Sequence, residues 1–521
     1  MSRWQRYWFA DGGRFAAACV RIALAIAVLM CLRKLGRPVS TGDLPGEHTL
    51  YHPVGIWMVL GHHAPPDVAV SILRVVAWIA TGAMLVGLCS RAATAISFAS
   101  ASALAALAFA SSHTWSHQYN VVLLAQLAFV GARCGDALSI DALVWPRDAR
   151  VRGYQWSLRL AQLAVALMFA GAAFHKLLDG HFTLRWALSD NLRNQLLVRF
   201  DLANLQRPWL VDWLLDDPWR YRSAALLNLI AQALPIAACA LMHRPKLRAL
   251  VGLAFVIETI ALGFVVDLWN FQWLPLYAVF VDWDALFRVP RVAEPEVVPR
   301  RAVRWWIAIF VAYDLVTACV PGIDQRLGTY PFSGFPMFST VLAKPPYSGH
   351  ADYTIAGDRF EVTSDMPIDD ATQRWFDHAN RGIYAIRDPV ELHARLAAVL
   401  GQAQRRYAGF GIHRIRLDVA FYVAPAYPAP ARFEVHPIAV VGELGDDGTF
   451  RTMVGAFDAA HVEPHAVGVD AHGAALGYYR DDALDLVPYT GTLDGDPIYV
   501  VATTRDGTHW LVASHADWHW Q

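Results

Sequence analysis

The chain has 521 residues, 55% of them hydrophobic and only 17% charged, with 20 Trp and a formal net charge of −1. With a mean hydropathy of +0.30 it is too apolar for an ordinary soluble protein and reads as a polytopic membrane protein. No basic field is available for nucleic acid and no glycine-rich phosphate loop occurs, so nucleic-acid and nucleotide binding are excluded as readings.

At the N-terminus, Arg3, Arg6 and Arg14 precede the apolar stretch Phe15 to Leu32, and no small-residue cleavage pattern follows closely. A retained first span is expected. Runs long enough to cross about 30 Å of hydrocarbon begin near Phe15, Val68, Ala93, Tyr119, Trp156, Ser223, Leu247, Trp269 and Trp305, which predicts about nine spans. In residues 183–221, Trp, Leu and Arg alternate too often with charge to span, so this segment should lie along the interface, with Trp186, Trp209, Trp213 and Trp219 at headgroup depth.

Positive charge sorts by loop. Arg133, Arg147, Arg150 and Arg152 follow the fourth span, Arg244, Lys246 and Arg248 the sixth, and Arg288, Arg291, Arg300, Arg301 and Arg304 the eighth. These loops and the N-terminus should be cytoplasmic. Arg33, Lys34 and Arg37 after the first span run against the pattern. The outer ends of the spans then gather His113, His117, Lys176 and Asp267 at one membrane face.

His175 and Lys176 close the apolar run Trp156 to Leu178. An ionisable side chain there costs roughly 2.5–3.5 kcal/mol at mid-bilayer on insertion scales, so it marks a functional site by default. The plainer reading makes His113 and His117 interfacial loop residues and lets Lys176 snorkel to the headgroups. Glu258, in the seventh span, either pairs with Arg21 of the first or is satisfied by a neighbouring hydroxyl such as that of Thr259; pairing is the favoured alternative.

After the last span, the aromatic loop Tyr330 to Ser339 leads into a soluble region. The expected organisation is a helical membrane domain over 1–325, a connecting loop over 326–344 and an α+β, mostly β, extracytoplasmic domain over 345–521. Strands are predicted at Ile415 to Val423, Phe433 to Val441, Ile498 to Thr503 and Trp510 to Ser514, and a helix over Pro389 to Tyr407. His461 with His465 and His515 with His519 have chelating spacing but strand or turn composition, so they read as solvated surface. The six cysteines lie in or beside apolar runs, and no disulfide framework and no metal site are expected.

Three stretches resemble the vitamin K-dependent gamma-carboxylase family and its bacterial relatives, the horizontally transferred transmembrane (HTTM) domain proteins. They are Arg21 in the first span, Leu85 to Ala110 with SHTWSHQYN at Ser112 to Asn120, and FAGAAFHKLLDG at Phe169 to Gly180. The resemblance covers residues 10 to about 290. It implies a base at Lys176 that deprotonates a reduced quinone, of vitamin K type or another quinol, with His117, His175 and His113 assisting. In the family, oxygen then converts the quinol to an epoxide, and the strong base so formed prepares a glutamate γ-carbon for carbon dioxide. Desolvation suits that role, because burial disfavours the charged form of an amine. Implied partners are the lipid bilayer, a quinol and a peptide or protein substrate at the outer face, in a bacterial inner membrane with a cytoplasmic N-terminus and periplasmic C-terminal domain. The chain departs from the family in the four residues between Gly171 and Lys176, and in Glu258 where the carboxylases place a histidine. The alternatives are a non-enzymatic membrane protein whose outer domain binds a partner, with Arg21, Glu258 and Asp267 structural, and a quinone-linked oxidoreductase subunit.

Overall fold

The computed structural model describes residues 3–9, 13–35, 53–60, 65–109, 117–146, 153–200, 206–288, 301–320, 329–335, 337–339 and 341, then chiefly the strands between 348 and 520. The described part is mostly helical. Two compact units emerge: Met1–Ser40, Tyr51–Leu196 and Arg207–Ala343 form the first, and Thr41–Leu50, Leu197–Gln206 and Lys344–Gln521 the second.

The first unit is built on α1 (Arg14–Leu35), α2 (Asp67–Val86), α3 (Ser90–Phe109), α4 (His117–Phe129), α5 (Gln155–Asp179), α6 (Pro218–Leu241), α7 (Pro245–Val266), a 3-10 helix (Phe271–Phe280) and α8 (Arg301–Cys319). Among the described residues α1, α2, α3, α5, α7 and α8 are long and apolar enough to cross a membrane, and α6 matches them in length with 24 residues. The expectation of nine full spans is thereby reduced. The fourth run makes a 13-residue helix and the eighth a 10-residue 3-10 helix containing Pro275. At 1.5 and 2.0 Å per residue each covers about 20 Å, short of the hydrocarbon thickness.

Burial sorts these helices. In the spanning window 83% of α5 is buried, against 22% for α2, 33% for α7 and 28% for α8, so α5 is the central post and the others face outward. Lipid supplies no hydrophobic drive between helices, so close packing and polar contacts must hold the post. Phe169 of α5 stacks on Phe255 of α7 with centroids 4.3 Å apart, and Trp273 of the 3-10 helix meets it edge-on at 6.3 Å. Lower on α5, the buried Arg159 donates to Met242 O at 2.6 Å, and Gln162 donates to Val279 O at 2.6 Å.

At one end of the bundle, α2 stops at Gly87, which is left-handed (φ +72) and offers its N–H to Ala83 O and Met84 O. A Cβ there would sit 2.3 Å from Ser139 Cβ, so only glycine closes the turn. Arg21 fills the space beside it, donating to Cys134 O at 2.8 Å and Leu138 O at 2.6 Å.

In the second unit, β1 (Ser348–Gly357), β2 (Glu361–Thr363), β3 (Ile412–Val423), β4 (Glu434–Gly445) and β5 (Phe450–Thr452) form an antiparallel sheet in the order β2-β1-β3-β4-β5. A six-stranded sheet comprises β6 (Ala466–Val469), β7 (Ala475–Tyr479), β8 (Leu486–Pro488), β9 (Val500–Thr504), β10 (Trp510–Ser514) and β11 (Asp517–Trp520), ordered β11-β10-β9-β6-β7-β8 with β6 and β9 parallel. Strands β3, β4, β9 and β10 overlap the four β-branched or aromatic runs read from the sequence. Most of the helix expected over Pro389 to Tyr407, and His461, His465 and His515, lie outside the described residues. His519 pairs with Val512 in the β10–β11 ladder.

Candidate functional site

The last turns of α5 carry His175 and Lys176, both buried at 5% and 2% exposure. The Lys176 amine donates to Gln232 Oε1 at 3.0 Å and to Met337 O at 2.8 Å, and lies 4.9 Å from the centroid of the Trp186 ring. Gln232, on α6, turns its other end to α7: Nε2 donates to Glu258 Oε1 at 2.7 Å. Asn228, one turn earlier on the same face of α6, reaches that oxygen at 3.4 Å. Amine and carboxyl are thus joined through an amide instead of touching. That linkage suits either charge state of both partners, because the amide oxygen accepts from an ammonium or an amine, and the amide N–H donates to a carboxylate or a carboxyl carbonyl.

A strap comprising residues 329–335, 337–339 and 341 lies along the same end of the bundle. Its Phe338 carbonyl accepts from Trp186 Nε1 at 2.7 Å and Gln195 Nε2 at 3.0 Å. Ser333 Oγ is 2.8 Å from His117 Nδ1, and the His117 ring lies 5.9 Å from that of Phe335. Phe332 packs edge-on against Phe310 and Tyr313 of α8. His175 Nε2 is 3.0 Å from Ala318 O. Gly334 is wedged beside it: a Cβ would fall 2.7 Å from His175 Nε2 and 3.2 Å from Thr317 O, so the strap can pass here only as glycine. Phe335 and Phe338 are left-handed, at φ +51 and +52, a costly conformation for a bulky side chain that surrounding contacts must hold.

The segment that delivers Trp186 is pinned in turn. Tyr221 OH and Arg222 Nη2 each meet Asp190 Oδ1 at 2.7 Å. Desolvation pushes the Asp190 carboxyl up, but those two donors and the Arg222 charge outweigh it and hold the group below the usual carboxylate range.

Of the residues singled out in the sequence, Lys176, His175 and His117 border the strap together. His113 lies outside the described residues. Asp267 ends α7 in a left-handed turn (φ +51), its carboxylate accepting from Trp269 Nε1 at 3.0 Å. The expected Arg21–Glu258 pair is not formed: Arg21 is spent on carbonyls at the opposite end of the bundle, whereas Glu258 takes Gln232 and Asn228. Nor does Thr259 serve Glu258, since its hydroxyl bonds Tyr277 OH at 2.6 Å. Trp209, Trp213 and Trp219 are 78%, 46% and 75% exposed, while Trp186 is 2% exposed and serves the site with its N–H and its ring face.

Sequence reasoning missed Gln232, Asn228, Gln195 and Ser333. The signal for the first two was present: two amides four residues apart within an apolar helix. Among the described residues no group of three His, Cys, Asp or Glu is placed to hold a metal ion. A pocket of about 300 Å³ sits at the Arg21 end, lined by Ser90, Arg91, Arg133, Asp136 and Asp141 among others, away from this chemistry. No family model, curated protein or solved structure matches the chain.

Proposed function

We propose that the protein is a membrane-embedded enzyme of the HTTM type, related to the vitamin K-dependent gamma-carboxylases, in which Lys176 acts as base toward a reduced quinone at the outer face of a bacterial inner membrane. The observation that carries this reading is a fully buried membrane lysine joined to its carboxylate, Glu258, through the amide of Gln232. A direct ion pair would hold the amine to one charge state in one geometry. With the amide between them, Lys176 keeps its hydrogen bond to Gln232 as ammonium or as free amine, and the amine lone pair stays available to a proton donor. A quinol bound there would supply the acidic hydroxyl; the part of Lys176 is to hold the proton taken from it, and that of His117 and His175 is to fix the strap and the end of α8 around it.

A second reading follows from the same contacts. As an ammonium, Lys176 has Gln232 and Met337 as acceptors and the Trp186 ring beside it, which also describes a structural peg for the strap in a protein without enzymatic activity. Binding of reduced menaquinone, ubiquinone and vitamin K to the purified chain, followed by fixation of labelled carbonate, separates the two. With a catalytic base, Lys176→Met keeps the protein inserted and lowers label uptake by about 10²- to 10⁴-fold. Quinol binding without label uptake points to a quinone-linked oxidoreductase subunit. No binding in wild type, with Lys176→Met altering only stability, leaves the structural peg.

A further inference from the structure

The turn between α2 and α3 joins two helices of membrane-spanning length and apolarity, so it lies where lipid headgroups begin. Beside it is the pocket of about 300 Å³ that the Lys176 chemistry does not use. The loop over 133–139 forms one wall and is fixed from within. Arg21 holds its Cys134 and Leu138 carbonyls at 2.8 and 2.6 Å, and the Asp141 N–H ties the short helix Ile140–Val144 to Gly87 O at 3.0 Å.

Arg91, Arg133, Asp136 and Asp141 all line this pocket, and they are not equally committed. Asp141 spends both carboxylate oxygens on the Cys89 and Ser90 N–H groups at 2.7 Å, and Asp136 Oδ2 accepts from Tyr154 OH at 2.8 Å. Arg91 and Arg133, by contrast, form no hydrogen bond or ion pair among the described residues. Ser90 lines the same space at 2% exposure, and its hydroxyl has no hydrogen-bond partner of good geometry. A buried donor left unmet is disfavoured. Two guanidinium forks beside it complete a donor set of the kind that grips a phosphate.

The surroundings decide which phosphate. Trp145 lines the pocket while 58% exposed, and Leu88, Leu138 and Leu143, which flank the lining residues in sequence, are exposed as well. Apolar side chains around a cationic pocket at headgroup depth suit a ligand whose charged head is joined to acyl chains; a free anion gains nothing from them. We propose that this pocket binds the headgroup phosphate of a membrane phospholipid, with Arg91 and Arg133 on the phosphate oxygens, the Ser90 hydroxyl donating to one of them, and the acyl chains passing Trp145 into the bilayer. Asp136 places a like charge in the pocket and holds the affinity down. The site stands apart from the quinol reading: Asp136 meets Tyr154 at the start of α5, whereas Lys176 lies in its last turns.

Equilibrium binding of labelled dihexanoylphosphatidylglycerol to the full-length protein in phospholipid-free detergent tests this, with dihexanoylglycerol and inorganic phosphate as competitors. Wild type is expected to bind the probe saturably, with no competition from dihexanoylglycerol and only weak competition from inorganic phosphate. Arg91→Gln and Arg133→Gln should each weaken binding about tenfold, the worth of a charge-assisted hydrogen bond, and Ser90→Ala by about two- to tenfold. Asp136→Asn, which keeps an oxygen for Tyr154, should bind more tightly than wild type, a gain that a misfolded variant cannot mimic. Absence of saturable binding, equal competition by dihexanoylglycerol, wild-type affinity in either arginine variant, or no gain in Asp136→Asn would each overturn the assignment. Inorganic phosphate competing as strongly as unlabelled probe would overturn it too, by making the pocket a site for free anions. None of these outcomes bears on quinol binding or carbonate fixation.

Discussion

At the scale of single residues, Arg21 and Glu258 belong to two separate sets of contacts in the bundle. Arg21 serves the Cys134 and Leu138 carbonyls; Glu258 serves Gln232, and through it Lys176. Because the two sets share no partner in these bonds, Arg21→Met and Glu258→Gln should destabilise additively, within about 0.5 kcal/mol, whereas Gln232→Leu and Glu258→Gln should couple by about 0.5–3 kcal/mol. Double-mutant cycles of unfolding in mixed micelles check this, and strong Arg21–Glu258 coupling would restore the pair read from the sequence. That misreading has a physical source. A buried acid and a buried base in apolar runs announce that each needs a partner, but not which helix supplies it, and amides such as Gln232 meet the need without a charge that catches the eye. Lys176, His175 and His117 were legible because charge stands out against an apolar run. The part of Trp186 was not, because a tryptophan that faces headgroups and one that donates its N–H inside the protein look alike in sequence.

Elements show the same division between what patterning dictates and what distant contacts impose. The start of α3 lacks a capping side chain of its own at the turn. Asp141, some fifty residues on, supplies it, with Oδ1 and Oδ2 each 2.7 Å from the Cys89 and Ser90 N–H groups. An acidic side chain there satisfies two orphan donors and complements the positive helix end. Desolvation pushes the Asp141 carboxyl up, but the Ser90 and Cys89 hydrogen bonds and the Arg21 charge outweigh it, so the group is held below the ordinary carboxylate value. The sign follows directly. A carboxyl lowered in the folded state contributes stability that is complete above its unfolded pKa, near 3.9, and is lost as pH falls through the lower folded value. Asp141→Ala should therefore cost about 0.5–2 kcal/mol at neutral pH, the worth of a cap, and the gap to wild type should close as acid protonates Asp141. A gap unchanged down to strongly acidic pH would refute the cap. Helix lengths were only partly legible. Apolar composition marks the α4 and Phe271–Phe280 runs as clearly as the others, yet Pro275 removes a backbone donor and the second run closes as a 3-10 helix.

For the whole molecule, the sequence indicates a membrane protein through composition alone, and among the described residues six helices of spanning length and apolarity bear that out. Which face is outside rests on the arginine bias of the loops, a kinetic rule of insertion that leaves no mark on packing. Two native cysteines make the orientation testable without engineering. Cys89 lies between α2 and α3, beside the Asp141 carboxylate that its N–H meets; Cys319 ends α8, next to Ala318, whose carbonyl meets His175. The central helix connects these places. α5 starts beside Tyr154, which bonds Asp136 at 2.8 Å, near the Cys89 end, and reaches His175 and Lys176 three to four residues before its end at Asp179, about 32 Å away at helical rise. The two thiols therefore sit at opposite faces, and both are exposed. If the arginine-rich loops are cytoplasmic, a membrane-impermeant maleimide applied to intact cells should label Cys319 and spare Cys89, with Cys89 becoming reactive only after permeabilisation. The reverse pattern would place Lys176 and its strap on the cytoplasmic side.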